Sequence, residues 1–248
     1  MADGQAGNAA GPVLVLWDID QTLVKAGPAS REAYADALLA VTGRPLTERV
    51  DFGGRTDLHI ARETLRAHGL LPTDDLITRL NETFAEIFAA RADQVRREGV
   101  ALPGAVALIG ALAELPYVHQ SVLTGNQAAT APVKLALLGA AARHLRLDIG
   151  AYGDDHEDRD KLVPLALGRA AAATGGGFAA DRTVLIGDTV RDVEAALHNG
   201  ARCVAVATGY TTADELARAG ADIVLADLTD VEAVLDVVRS LGRAESAA

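Results

Sequence analysis

The chain has 248 residues, half of them apolar, which is enough for a large core and excludes a disordered chain. Its net charge of -11 leaves no basic footprint for nucleic acid or an anionic membrane surface, and no apolar run reaches the roughly 20 residues of a membrane span. The single cysteine, Cys203, excludes an intrachain disulfide or a cysteine-rich zinc site and reads as a small core residue.

Residues 1–11 lack the basic and apolar regions of a signal peptide and read as a flexible tail, as do residues 241–248; the expected location is cytoplasmic. The first element is the apolar run Val13-Leu14-Val15-Leu16-Trp17, a strand buried on both faces as in a parallel sheet. Two carboxylates follow it. In extended backbone, side chains two apart point the same way, so Asp18 and Asp20 share one small volume at a strand end. Two like charges so close resist joint ionisation, which invites a compensating divalent cation. The alternative is a turn or capping pair.

Helical spacing then takes over. Ser30 is placed to cap a helix carrying Ala33, Tyr34, Ala37, Leu38 and Val41 and stopped by Gly43. A second helix runs from about Thr56 to His68, and a long third one opens at Pro72-Thr73 and ends at Gly99. Residues 26–98 therefore read as a helical insertion, a cap over Asp18, with residues 12–25 and 99–240 forming the core. From Leu102-Pro103-Gly104 the pattern alternates. A helix (Val106 to Leu115) leads to a strand, Val118–Leu123, ending in Thr124-Gly125-Asn126, and a further helix runs from just after Asn126 to about Arg143. A short strand at Asp148–Tyr152, the polar loop 153–161 and a helix from Leu162 to Ala173 precede the buried strand Thr183–Gly187. Asp188 and Asp192 then stand four apart at a helix start, on one face, unless they merely cap it and favour its positive end. Strands at Arg202–Ala207 and Asp222–Leu225 close the pattern. Such alternation predicts an α/β fold with a doubly wound, mostly parallel sheet.

Asp18-Ile19-Asp20-Gln21-Thr22, Thr124 within Leu123-Thr124-Gly125-Asn126, and Gly187-Asp188-Thr189-Val190-Arg191-Asp192 together resemble the first, second and fourth motifs of the haloacid dehalogenase-like (HAD) superfamily. The resemblance spans Val13 to about Leu225 and implies a Rossmann-like core with a small helical cap. It departs at Gln21, where the family usually has glycine. It implies a phosphatase acting on a small phosphorylated metabolite, similar to phosphoglycolate phosphatases. Asp18 would be the nucleophile that forms an aspartyl-phosphate, and Asp20 the general acid and base. Thr124, with Gly125 and Asn126, would bind the phosphoryl group. Mg²⁺ would be held by Asp18, Asp188 and the backbone carbonyl of Asp20, with Asp192 ordering its water shell. The third motif, a lysine or arginine usually followed by proline, is not evident. Arg159 and Lys161 stand in the appropriate loop, and Lys134 is a third option that sits too far along its helix if that helix begins just after Asn126.

In the cap, Asp51-Phe52-Gly53-Gly54-Arg55-Thr56-Asp57 resembles the loop through which related caps reach substrate, and Arg55 could hold an anionic leaving group, unless this is a plain glycine-rich turn. The six histidines, His59, His68, His119, His144, His156 and His198, show no metal spacing. A dehalogenase would not need Asp20, and a phosphonate hydrolase would need a cap lysine where this chain offers Lys25 at the hinge. A β-phosphoglucomutase-like mutase would use the same Asp18 and Asp20. A non-catalytic relative should have lost one of Asp18, Asp20 or Asp188, and all three are present.

Overall fold

A computed structural model describes residues 11–48 and 50–242. The tails expected at 1–10 and 243–248 lie outside the described residues, whereas Leu241 and Gly242 are the buried end of a helix rather than tail. In chain order the elements are β1 (Val13–Trp17), β2 (Val24–Lys25), α1 (Ala29–Thr42), α2 (Asp57–Ala67), α3 (Asp74–Ala90), α4 (Ala92–Glu98) and β3 (Val100–Ala101). Then follow α5 (Ala105–Ala113), β4 (Val118–Val122), α6 (Ala131–Leu135), α7 (Leu162–Thr174), β5 (Thr183–Gly187), α8 (Val190–His198), β6 (Arg202–Val206), α9 (Ala213–Ala219), β7 (Ile223–Leu225) and α10 (Val231–Gly242).

Five strands form one parallel sheet in the order β4-β1-β5-β6-β7. All five residues of β1 are fully buried because both faces are covered. Val13, Val15 and Trp17 pack with Ile109 of α5 and Val234 of α10. Leu14 and Leu16 pack with Val163 of α7, Val193 of α8 and Leu216 of α9. The chain thus leaves β1 toward one face and β5 toward the other, so the boundary between these two strands is a topological switch point, where open α/β sheets bind ligands. The indole of Trp17 donates to Gln120 Oε1 at 3.2 Å, and Gln120 Nε2 donates to the Ile109 carbonyl, so neither buried polar group is orphaned.

The insertion builds its own core. Tyr34 meets Phe52 and Phe84 edge-to-face at 5.4 and 5.5 Å, and Leu38, Ile60, Leu65, Leu80 and Phe88 close around them. Each fully buried Leu, Ile or Phe of this kind contributes roughly 1.5–3 kcal/mol. The insertion leaves the core through β2 and returns through β3, which pair antiparallel (Val24 with Ala101, Lys25 with Val100) as a two-stranded hinge too short to be read from periodicity.

Four local expectations are corrected. Helix α1 starts at Ala29 without a side-chain cap, and the Ser30 hydroxyl is buried without a partner. The long third cap helix breaks at Arg91, whose amide bonds back to the Phe88 carbonyl, giving α3 and α4. The strand expected at Asp148–Tyr152 is a 3-10 turn over Leu147–Ile149 followed by a single bridge from Ala151 to Leu123. The helix after Asn126 starts only at Ala131, because Pro132 suits a first helical turn and the preceding Gln127–Thr130 closes a turn of its own. It passes into a 3-10 stretch at Ala136.

Candidate active site

Strand register brings the three motif ends together. Trp17 lies opposite Val122 on one side and Ile186 on the other, so Asp18, Leu123-Thr124 and Gly187-Asp188 emerge side by side at the carboxyl edge. Period-two alternation points Asp18 to the side opposite Trp17, toward α7 and α8.

Asp18 is buried and anchors its own backbone by donating to the Ile186 carbonyl at 2.9 Å. Its Oδ1 accepts from Arg159 at 2.9 Å. Burial pushes the Asp18 carboxyl up to about 7, Arg159 opposes this, and Asp192 and Asp20 add to it. Asp188 is pushed up to about 8, by burial first and then by Asp18 and Asp192. Its Oδ1 accepts from the Thr22 hydroxyl at 3.3 Å.

Asp188 lies before the helix and does not cap it, correcting the expectation that Asp188 and Asp192 share a helical face. Thr189 is the cap of α8, and Thr189 with Asp192 forms a capping box: Asp192 Oδ2 accepts from the Thr189 amide at 3.0 Å and from its hydroxyl at 2.6 Å. Asp192 Oδ1 accepts from Arg159 at 2.5 Å. Both Asp192 oxygens are therefore engaged by protein donors.

Arg159 sits in a 3-10 turn just before α7, and its guanidinium crosses the whole site. One amino group serves Asp18, Asp192 and the Leu123 carbonyl (3.2 Å), the other reaches the Gly54 carbonyl of the cap (3.3 Å), and Nε is buried without a partner. Lys161, two residues on, is exposed. Of the two cations offered by this loop, the structure turns Arg159 inward.

Lys134 also enters. Because α6 begins at Ala131, Lys134 lies in its first turn rather than far along it, and the expectation that it sits too far away is corrected. Its Nζ is 2.6 Å from Asp20 Oδ2 and 2.6 Å from Asn126 Oδ1. Asp20 Oδ2 accepts additionally from Asn126 Nδ2 at 2.8 Å. The Thr124 hydroxyl accepts from the Asn126 amide and from its Nδ2 (3.3 and 2.7 Å), so its own proton is free for an acceptor placed over the strand end.

Gly125 binds no side chain. It is where the cap docks: its carbonyl accepts from the Asp57 amide at 2.8 Å, and a Cβ there would lie 1.9 Å from the Arg55 carbonyl. Gly54, at φ +64°, abuts Thr189, and Arg191 donates to the Gly53 carbonyl at 2.7 Å. Arg55 bonds Asp51 at 3.3 Å and touches His59. Arg55, His59, His156, Arg159 and Arg191 line a cavity of about 530 Å³ between cap and core, along with Glu157, Asp158, Asp160 and Glu194. Thr22, Thr189 and Asp57 stand inside the motifs quoted from the sequence but without a role of their own, and Gly209 stands outside those motifs. The pattern Thr189-x-x-Asp192 did carry a capping-box signal. Gln21 has φ 61°, in the left-handed region that glycine adopts most readily.

Asp18, Asp188 and Asp192 each offer a carboxylate oxygen within 4.8 Å of the others. This is an all-oxygen donor set, the chemistry of a hard divalent cation. Gly209 packs directly against Asp188 Oδ2, where a Cβ would sit 1.8 Å from that oxygen, so only glycine lets the chain pass this close to the carboxylate.

A family model described as HAD-hydrolase-like matches residues 159–231. No curated protein matches the chain in sequence. Among solved structures, a hydrolase from Pseudomonas syringae is 26% identical over 90% of this chain and 98% of its own, with a TM-score of 0.67. CbbY from Rhodobacter sphaeroides in complex with phosphate is 22% identical (89% and 96% covered, TM-score 0.66). A predicted phosphoglycolate phosphatase from Haemophilus somnus is 16% identical (90% and 98% covered, TM-score 0.63). Among the described residues no helix is long and apolar enough to cross a membrane.

Proposed function

We propose that this chain, a member of the HAD-like hydrolase superfamily, is a Mg²⁺-dependent phosphatase that hydrolyses a small phosphomonoester of the phosphoglycolate kind. The observation that carries the reading is the Asp18 carboxylate clamped by Arg159 beside Asp188, with a second acid, Asp20, presented from the other side. Asp18 attacks phosphorus, the bond to the leaving oxygen breaks, and Asp20 delivers a proton to that oxygen. Asp20 then takes a proton from water as that water attacks phosphorus and frees Asp18. Arg159 and the Thr124 proton stabilise the charge on the phosphoryl oxygens. Asp18 and Asp188, with the Asp20 carbonyl, would hold Mg²⁺, while Asp192, both oxygens already bonded, holds Arg159 and orders the surrounding shell. Bound there, Mg²⁺ supplies positive charge to offset the carboxylates and the phosphate. In the cavity between cap and core, Arg55 and Arg191 are the groups that would meet an anionic remainder of the substrate, against the acids Glu157, Asp158, Asp160 and Glu194 that share its lining.

The test is a phosphate-release screen over phosphomonoesters with Mg²⁺, in which transfer to a sugar acceptor instead of water would mark a mutase. Excess chelator is expected to abolish release, and full activity in its presence would remove the metal from the scheme. The metal also has a pH signature. Asp18 and Asp188 titrate above their unfolded values of 3.8, so their stabilising contribution without metal is complete below about pH 4 and is lost as pH rises through about 7 to 8. A divalent cation must displace those protons. The rise in melting temperature caused by Mg²⁺ is therefore expected to be larger above pH 8 than at pH 6; equal shifts at both would contradict this site.

A further inference from the structure

The two buried cations do not share one task. Arg159 touches Asp18 and Asp192, and Lys134 touches Asp20 and Asn126. Lys134 is 4% exposed, and burying an ammonium is costly unless its contacts compensate. Lys134, Asn126 and Asp20 close a three-membered ring of hydrogen bonds, which Asn126 ties to Thr124. The cap completes the enclosure: the Phe88 ring of α3 lies 5.7 Å from Lys134 Nζ, and the buried Asp57 of α2 accepts from the Gln127 amide at 3.0 Å nearby.

Both donors in the ring converge on one oxygen of Asp20, Oδ2. Among the described residues Oδ1 carries no hydrogen bond, and the Asp20 side chain as a whole is 41% exposed. We propose that Lys134 is a positioning residue for the leaving-group step: with Asn126 it fixes Asp20 through Oδ2 and leaves Oδ1 as the oxygen presented to the leaving group. This rests on the phosphatase reading above, and of the two buried cations it leaves Arg159 as the one that faces the phosphoryl group.

A residue that only positions the acid matters in proportion to how much the leaving group needs a proton. Nitrophenolate departs readily without one, and an alkoxide does not. The experiment measures kcat and KM of the parent, Lys134→Met and Asp20→Asn across a series from nitrophenyl phosphate to alkyl phosphates. Lys134→Met is expected to lower kcat/KM roughly 10²-fold on alkyl phosphates, the scale of general acid catalysis. On nitrophenyl phosphate kcat/KM, which reports leaving-group departure and not the later hydrolysis of the aspartyl-phosphate in which Asp20 also serves, should fall by no more than a few-fold. The double variant Lys134→Met/Asp20→Asn should be no slower on alkyl phosphates than Asp20→Asn, and Lys134→Arg should recover part of the loss. A loss in kcat/KM equal across the series would make Lys134 a charge partner of the phosphate or a structural prop and overturn the assignment, as would no loss at all. If Lys134→Met melts below the assay temperature, Lys134→Gln, which keeps a donor, takes its place under the same criteria. A parent that releases no phosphate from any ester would count against the phosphatase reading itself, whereas an active parent with a flat loss overturns only the role of Lys134.

Discussion

Asp18→Asn is expected to lower kcat/KM by about 10⁴-fold or more at saturating Mg²⁺, the scale on which covalent nucleophiles fail when replaced. The amide is nearly the same size, and the Asp18 backbone anchor to the Ile186 carbonyl does not involve the side chain, so the fold should persist. Removing one member of a crowded acidic cluster also relieves like-charge repulsion that raises the Asp18 and Asp188 carboxyls, so the variant should melt no lower than the parent without metal. Phosphate release within tenfold of the parent would reject Asp18 as the nucleophile.

Arg159→Ala should have the next largest effect, about 10² to 10³-fold in kcat/KM, the scale of losing one preorganised electrostatic partner. It should also cost stability, because the broken buried pair leaves Asp18 and Asp192 without their shared donor; comparable losses run about 3–5 kcal/mol. Lys161→Ala, at an exposed position two residues on, should be nearly silent in both assays. Parent-like kinetics for Arg159→Ala would show that the cation facing Asp18 in this structure does not serve the reaction. Arg159→Lys separates charge from geometry: one ammonium cannot reach Asp18, Asp192 and the Gly54 carbonyl together, so recovery should be partial.

The parallel sheet was legible because its strands are buried on both faces and read as unbroken apolar runs, as Val13–Trp17 and Thr183–Gly187 do. The strand-end acids were legible for the same reason, since each follows such a run directly. What escaped depends on backbone turns. Lys134 was misplaced because the start of α6 depends on a turn at Gln127–Thr130 that periodicity does not encode, and four residues decide which way a helical side chain points. Asp57 reads as an ordinary acid in a first helical turn, and only the close approach of the cap loop to Gly125 buries it. The choice between Arg159 and Lys161 was open because both occupy one polar loop; the 3-10 turn there makes Arg159 the residue that faces the sheet.

The chain has one tryptophan, and it is Trp17, fully buried beside Asp18 and held to Gln120. The cap, by contrast, draws its aromatic core from Tyr34, Phe52, Phe84 and Phe88. Intrinsic fluorescence excited at the red edge thus observes the sheet and is blind to the cap, while far-ultraviolet circular dichroism reads the helices of cap and core together. Denaturation followed by both signals on one sample asks whether the two halves come apart together. Coincident curves would mean that the contacts of Gly125, Gly153 and Arg159 with the cap loop bind it into one cooperative unit with the sheet. A partial loss of dichroism that precedes the fluorescence shift would mean that the cap melts by itself over an intact sheet, leaving the Asp18 strand end open to solvent before the protein unfolds.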